Sequence, residues 1–493
     1  MAFRPVRGRL SLAGVTALVP ATVMLAGIGV AGFGAAVPAA ASDAAVRAVA
    51  PVPGSQLWDA RYPATGSSAS QATAVATSRD GSTVFVTGGA GVPNGQPDYA
   101  TIAYDAHTGE QLWASRYNGP GHGFDNATAI ALSPDGHTVF VTGESQGSGS
   151  RLDYATIAYN AATGAAQWVR RYNGRAGMDD TAGAITVSPG GSTVFVTGTS
   201  GGGVGTKADY ATVAYNAANG MRLWVSRYNG RASNVDDAIA MAISPNGHLV
   251  YVTGRSMGRR SGGDFATVAY QAASGAQRWV SRYNGRANRL DAGQGIAVSP
   301  DSRTVYVTGT SKGRTSGNDF ATAAYNASTG ATRWVSRFNG HGEGTDDATG
   351  VAVNSVSGLV YVTGNSQGAA TGTDIATIAY RAKNGATAWV SRFDGARRED
   401  FARSLAVSPD GAGVFIAGIA TIKNSGDQFE PSFAVIGYNA ATGARRWWTA
   451  IDANGFEQAM AVAVSPDSHS VYATGGNELA ATRFVYDTLA VAN

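Results

Sequence analysis

Asp153-Tyr-Ala-Thr-Ile-Ala-Tyr-Asn-Ala-Ala-Thr-Gly-Ala-Ala-Gln-Trp-Val-Arg-Arg-Tyr-Asn-Gly174 returns, little changed, about every 55 residues, and a period of this size is the signature of a repeat architecture. Within each unit, short β-rich runs alternate with Gly, Asn and Pro-Asp-Gly turn signals, and no run has helical period. The unit therefore predicts four antiparallel strands, which is one blade of a β-propeller.

Tryptophans mark the fourth strand of each unit and so count the blades. The eight markers are Trp58, Trp113, Trp168, Trp224, Trp279, Trp334, Trp389 and Trp447. Seven units are complete, and Met460 to Val491 then supplies three strands without a fourth. The isolated strand around Trp58 supplies the missing one. The sequence thus predicts an all-β, eight-bladed propeller with four antiparallel strands per blade, in which the last blade is closed by the N-terminal strand and no sheet edge stays open.

The start of the chain predicts export. Arg4, Arg7 and Arg9 precede an uncharged run that ends in Ala39-Ala40-Ala41, as in a secretory signal peptide. The run is also long enough for a membrane anchor, which is the alternative. We expect a signal peptide over 1–41, a linker over 42–55 and one propeller over 56–493. The expected blades are about 63–118, 119–173, 174–229, 230–284, 285–339, 340–394 and 395–453, with a composite blade of 454–493 plus 56–62.

Composition narrows the classes of function. The chain of 493 residues has no Cys, which excludes disulfides, thiolate metal sites and a Cys nucleophile. The formal net charge of +3 is small for this length and predicts no nucleic-acid partner. A closed ring has no edge that demands a second copy, so we expect a secreted or extracytoplasmic monomer without a membrane span after signal cleavage.

Tyr159-Asn-Ala-Ala-Thr-Gly-Ala-Ala-Gln-Trp168 resembles the tryptophan-docking repeat of pyrroloquinoline-quinone-like eight-bladed propellers. The stretches Val305–Gly309 and Val360–Gly364 resemble bacterial surface propeller repeats. The resemblance implies that each Trp and a Thr-Gly turn lock adjacent blades together. It does not settle activity, because such propellers include dehydrogenases, assembly scaffolds and binding proteins. The quinoprotein dehydrogenases use an adjacent Cys pair, a Ca²⁺ ion and a catalytic Asp, and this chain has no Cys.

Two recurrent motifs contain residue types that are common in functional sites. The G-x-S-x-G pattern of hydrolases recurs around Ser145, Ser200, Ser256, Ser311 and Ser366, but it lies between strands rather than at a strand–turn–helix elbow, so we predict no catalytic residue. An Asp stands eighteen residues before an Arg in most units, which we expect to place the two directly opposite each other on a hairpin. These structural pairs are Asp98/Arg116, Asp153/Arg171, Asp209/Arg227, Asp264/Arg282, Asp319/Arg337 and Asp374/Arg392.

The pairs have two exceptions in the sequence. In the seventh unit both partners are lost together, leaving Ser432 and Ala450, which supports a structural role. In the composite blade Arg61 is expected to face Ala480 and so to have no acidic partner.

An acidic residue opens each innermost strand except the first, where Ser70 takes its place. The acidic residues are Asp125, Asp180, Asp236, Asp291, Asp346, Asp400 and Glu457. Innermost strands line the axial channel, so these carboxylates are expected to ring one mouth and could bind Ca²⁺ or another cation. Alternatively, each one caps its own turn or pairs with a nearby Arg. We identify no cofactor-binding residue, and Ca²⁺ is the one cofactor that the sequence suggests.

The loops between the second and third strands vary most and share a face with the acidic residues; the most distinctive are Gly201–Ala208, Ser256–Gly263 and Ile419–Pro431. Variable loops on a rigid scaffold are common recognition sites. We therefore favour an exported, non-catalytic propeller that binds a protein, glycan or envelope component on this loop face. The alternative is an extracytoplasmic quinone- or metal-dependent oxidoreductase of the quinoprotein type, so the sequence leaves open whether the protein is an enzyme.

Overall fold

The computed structural model describes residues 51–63, 70–93, 95–175, 177–202, 207–341, 344–423, 429–451, 457–480 and 483–493. The expected signal peptide, residues 1–41, and most of the linker lie outside this part of the chain. No described helix is both long and apolar enough to cross a membrane.

Thirty-two strands form eight four-stranded antiparallel sheets. Blade one consists of β2–β5, blade two of β6–β9, blade three of β10–β13 and blade four of β14–β17. The strands run over β1 Gln56–Tyr62, β2 Gln71–Thr77, β3 Thr83–Ala90, β4 Asp98–Asp105, β5 Gln111–Tyr117, β6 Asp125–Leu132, β7 Thr138–Gln146, β8 Leu152–Asn160, β9 Ala166–Tyr172, β10 Asp180–Val187, β11 Thr193–Gly201, β12 Ala208–Asn216, β13 Arg222–Tyr228, β14 Asp236–Ile243, β15 Leu249–Met257, β16 Gly263–Gln271 and β17 Gln277–Tyr283.

Blades five, six and seven are β18–β21, β22–β25 and β26–β29, and the composite blade is β1-β32-β31-β30. Their strands run over β18 Asp291–Val298, β19 Thr304–Lys312, β20 Asn318–Asn326, β21 Thr332–Phe338, β22 Asp346–Val353, β23 Leu359–Gln367, β24 Thr373–Arg381, β25 Thr387–Phe393, β26 Phe401–Val407, β27 Gly413–Lys423, β28 Phe429–Asn439, β29 Arg445–Ile451, β30 Glu457–Val464, β31 Ser470–Ala480 and β32 Arg483–Ala492.

The first strand of every blade contacts the first strands of both neighbouring blades, so these eight strands form a closed inner ring. The predicted eight-bladed propeller is confirmed, and β1 pairs with β32 as expected for a blade built from distant parts of the chain.

The apolar core lies between blades. Val139, Val141 and Ile157 of blade two pack in one buried cluster with Phe85 and Trp113 of blade one. This division follows from the sequence, because the two central strands of each blade carry apolar side chains on both faces and each face meets a neighbouring sheet. Burial of such side chains contributes about 1.5–3 kcal/mol each, so packing between blades supplies much of the stability of the ring.

The marker tryptophans join consecutive blades. The indole N–H of Trp113 donates to the Ala161 carbonyl of blade two at 2.8 Å, and the same bond recurs from Trp58, Trp168, Trp224, Trp279, Trp334 and Trp389. The ring of Trp113 lies on Gly164, which has a φ of +70°. A Cβ at Gly164 would lie 2.6 Å from the Trp113 ring, so both the backbone and the contact require glycine.

One expected loop is largely strand. Ile419–Lys423 continues β27 and Phe429–Pro431 begins β28, so the seventh blade extends its central hairpin beyond those of blades one to six. Residues 424–428 lie outside the described part. The hydrophobic residues at Ile419, Ile422 and Phe429 explain the extension, because β-branched and aromatic residues favour paired strands.

Candidate functional site

The acidic residues that open the innermost strands are buried inside the propeller wall. Their exposed fractions are 0% for Asp125, Asp180, Asp236, Asp346 and Asp400, and 1% for Asp291 and Glu457. Oδ2 of Asp236 accepts the backbone N–H of Gly230, in the connection from blade three, at 2.6 Å. Equivalent bonds join Gly119 to Asp125, Gly174 to Asp180, Gly285 to Asp291, Gly340 to Asp346 and Gly395 to Asp400. These hydrogen bonds show that each of the six aspartates caps the turn before its strand. Binding of Ca²⁺ by the ring of carboxylates stays a prediction.

The three recurrent polar motifs meet in one network, which blade four shows well. Asp236, Ser256 and Asp264 are register partners on three successive strands. Arg282 on the fourth strand donates to Ser256 Oγ at 2.6 Å and to Asp264 Oδ2 at 2.8 Å. It also donates to the hydroxyl of Tyr228, in blade three, at 2.9 Å. The serine of G-x-S-x-G is thus a hydrogen-bond partner of the arginine within the wall and faces no described His.

This network repeats around the ring with small changes. The six predicted Asp/Arg pairs have nitrogen–oxygen distances between 2.6 and 3.8 Å. The prediction that the partners lie directly opposite is wrong, because Arg282 is opposite Ala266 and Asp264 lies two residues further along. A register shift between Ala269 and Tyr270 displaces the hairpin. The long Arg side chain spans the diagonal.

Arg61 has an acidic partner after all. It lies opposite Asp487 in the composite blade, with Arg61 Nε 3.4 Å from Asp487 Oδ2. The prediction that Arg61 faces Ala480 is wrong. When the composite blade is aligned with blade four by strand register, the residue at the place of Asp264 is Val485. The carboxylate has therefore moved two residues along the strand, and the ion pair that helps to close the ring is retained in a different geometry.

Blade seven lacks the network. Ala420 and Ser432 lie where blade four has Ser256 and Asp264, and Ala450 replaces the arginine. Asp400 is still buried, accepting N–H groups from Gly395 at 2.7 Å and Thr421 at 2.8 Å. Burial, together with the charges of Asp394 and Asp374, raises the pKa of Asp400 to about 7. In blade four, burial also raises the pKa of Asp236, but hydrogen bonds and Arg282 oppose the rise.

The junction of blades six and seven therefore concentrates negative charge. Asp394 occupies the place of the Asn in the repeated Tyr-Asn-Gly turn, and Asp374, Asp394 and Asp400 have carboxylate oxygens within 4.8 Å of one another. The guanidinium of Arg392 forms an ion pair with this group, through Asp374 at 2.9 Å, and the backbone N–H of Arg397 donates to Asp394 Oδ1 at 2.6 Å. Sequence reasoning missed this departure, although the change from Asn to Asp at position 394 is visible when the repeats are aligned.

The loop face is strongly basic. Ten arginines are exposed in the second-to-third-strand loops and in the connections between blades: Arg151, Arg175, Arg231, Arg259, Arg260, Arg286, Arg289, Arg314, Arg397 and Arg398. Within the described residues of these connections, the exposed acidic residues are Asp179 and Glu399. On the opposite face, turn aspartates such as Asp80, Asp135 and Asp410 bind neighbouring serine hydroxyls, which helps lower their pKa. The net charge of +3 does not reveal this local excess of positive charge on the loop face.

Solved structures share the fold at low sequence identity. Sqt1 from Chaetomium thermophilum, bound to the N-terminus of ribosomal protein L10, is 11% identical with a TM-score of 0.57, covering 87% of this chain and 98% of that chain. Quinohemoprotein alcohol dehydrogenase ADHIIG from Pseudomonas putida HK5 is 13% identical with a TM-score of 0.55, covering 89% and 76%. BamB from Moraxella catarrhalis is 14% identical with a TM-score of 0.49, covering 89% and 99%.

The sequence itself places the chain in a family. No curated protein matches it. A family model described as outer membrane protein assembly factor BamB matches residues 42–258 and 263–486, which is most of the chain. This agrees with the resemblance seen in the repeats. The protein therefore belongs to the BamB-like family of propeller-repeat proteins.

Proposed function

We propose that this protein is an extracytoplasmic, non-catalytic scaffold that binds a protein partner with an acidic surface on its loop face. The observation that supports this proposal is the excess of positive charge on the loop face. Its described connections expose ten arginines but only two acidic residues. Rigid blades hold these connections, so the charges form a fixed surface rather than a flexible tail. An assembly-factor family is consistent with a role in holding another protein.

Guanidinium groups suit this task because each one can form paired hydrogen bonds with a carboxylate. Several arginines are also held by backbone contacts: Arg259 donates to the Arg231 carbonyl at 2.9 Å, and Arg314 donates to the Arg286 carbonyl at 3.0 Å. These bonds span neighbouring blade connections and reduce the conformational freedom that binding would otherwise remove. An acidic protein would meet a prearranged surface, and the association should weaken as salt is added.

The test measures binding of poly-L-glutamate to the secreted protein at low and physiological salt. The loop-face variant changes Arg231, Arg259, Arg260 and Arg289 to serine. Its control removes the same charge from exposed fourth-strand positions: Arg222, Arg278, Arg333 and Arg446. We expect the loop-face variant to bind about tenfold more weakly and the control to bind like the natural protein.

Two results would overturn this proposal. Equal loss in both variants would mean that net charge, and not the loop face, determines binding. A clear preference for a polyuronate chain of matched charge would identify an anionic glycan as the partner. No observation on the described residues favours the oxidoreductase alternative, because the likeness to the alcohol dehydrogenase concerns the fold alone.

A further inference from the structure

A ring of eight β-bulges lines the axial channel. In every innermost strand the pairing with the second strand skips one residue, and the skipped residues are Thr73, Thr128, Gly183, Ile239, Gln294, Thr349, Arg403 and Met460. Thr73 donates to the Ala127 carbonyl of the next blade at 2.8 Å, and Thr128 donates to that of Ala182 at 2.8 Å. The bulges of blades one, two and three are thus joined by hydrogen bonds, and we refer to the eight skipped residues together as the girdle.

The open side of this girdle is the channel. Each innermost strand is paired along its outer edge and packed against the neighbouring innermost strands on both faces. Partly exposed side chains at mid-strand therefore face the axis. Arg403 is one of them, and it lies three residues below Asp400, or roughly 10 Å from the mouth at the rise of a β-strand.

Arg403 is the single charged residue of the girdle. Its side chain is half-buried, and its Nε is buried without a hydrogen-bond partner. Among the described residues it makes no ion pair, and its guanidinium carbon lies 6.0 Å from the centroid of the Phe401 ring. By contrast, Arg282 in the wall binds a carboxylate, a serine and a tyrosine. Burying a charge without a partner is costly, so Arg403 calls for an explanation.

We propose that the axial channel binds a small oxyanion, a carboxylate or phosphate group, on the guanidinium of Arg403. A planar guanidinium offers two parallel donors to such an anion and keeps its charge at any accessible pH. Burial lowers the pKa of Arg403, and no carboxylate among the described residues opposes that effect. The unpartnered Nε and the missing counter-charge agree with a site completed by an anion.

Arg403→Thr is the informative variant, because threonine occupies the same bulge in blades one, two and six. It should fold without the anion site. The control is Arg278→Thr, which removes an exposed arginine from an outer strand. Thermal unfolding and calorimetric titration are measured with inorganic phosphate, acetate and chloride at constant ionic strength, so that general salt effects cancel.

We expect phosphate or acetate, but not chloride, to raise the melting temperature of the natural protein and of Arg278→Thr by several degrees. Calorimetry should give one anion per chain, and Arg403→Thr should show neither effect. A response to phosphate alone would assign a phosphate ligand, and a response to acetate alone a carboxylate. Equal shifts in natural protein and Arg403→Thr, or no shift in either, would overturn the proposal. These results do not depend on the loop-face arginines.

Discussion

Blades four and seven share one topology but differ in the pairing of their buried carboxylates. Those of blade four lie near an arginine, and that arginine is missing from blade seven. In blade four, Arg282 joins Asp264, Ser256 and the neighbouring Tyr228, so each carboxylate of the row lies near a guanidinium. In blade seven, Ala450 removes that guanidinium, while Asp394 adds a carboxylate at the same junction. The same blade introduces Arg403 into the channel.

This difference identifies the blade that departs most from the repeated pattern. Blades two to five keep the complete network, in which the arginine also binds the tyrosine of the preceding blade. Blade seven gives up the network, has a longer central hairpin and carries the unpaired channel arginine. Departures from local consistency in an otherwise regular protein often mark functional sites. Blade seven is therefore where we look first for function beyond the loop face.

Removing the arginine of blade four should have the largest effect. Arg282→Ala leaves Asp264 buried without its cation, and breaking a buried pair typically costs about 3–5 kcal/mol. The control is Arg255→Ala, because the Arg255–Asp237 pair is more exposed, with 37% and 25% of the side chains accessible, and such pairs contribute about 1 kcal/mol or less. Denaturant unfolding measures both, and equal losses would contradict the role assigned to the network.

Stability should depend on pH through blade seven. The pKa of Asp400 is about 7 in the folded protein, above its usual value of 3.8. The folded state therefore keeps a proton that the unfolded state loses, so this residue reduces stability as pH rises from about 4 to 7. Asp400→Asn should remove roughly 1–3 kcal/mol of that decline. Asp236→Asn, near Arg282, should change the pH profile less, and a larger effect at Asp236 would contradict this difference between the blades.

The smallest effect concerns the marker tryptophans. Trp279 of blade four and Trp447 of blade seven are 8% and 7% exposed, but Trp279 donates to Ala327 at 3.0 Å and the indole N–H of Trp447 has no partner. Substitution by Phe removes that hydrogen bond in blade four alone. We expect Trp279→Phe to cost about 1 kcal/mol more than Trp447→Phe in denaturant unfolding, and equal costs would show that packing alone joins the blades.

The sequence predicted the architecture well because it repeats one strong pattern. The period and the marker tryptophans determined the number of blades, and the isolated strand at Trp58 predicted the closure. The errors have a common physical cause: a bulge shifts pairing without leaving a mark in residue spacing. The shift at Ala269/Tyr270 makes the Asp/Arg pair of blade four diagonal, and the equivalent shift recurs in the other blades that have this pair.

Charge was harder to predict than shape. A net charge of +3 gave no sign of a basic loop face, because many of the carboxylates that balance the exposed arginines are buried in the wall. The partner of Arg61 was missed because counting along the chain selected Ala480, whereas the paired strand places Asp487 opposite it. Both depend on which residues the fold brings together, and composition alone does not contain that information.

The pairing of β1 with β32 also determines when the ring can close. β1 covers Gln56–Tyr62, but its partner begins only at Arg483. A nascent chain that has not yet reached that residue carries an N-terminal strand with nothing to pair with, however many central blades are complete. Such distant pairing is slow to form. Closure is thus a late event of biosynthesis, and until then the growing protein remains an open arc.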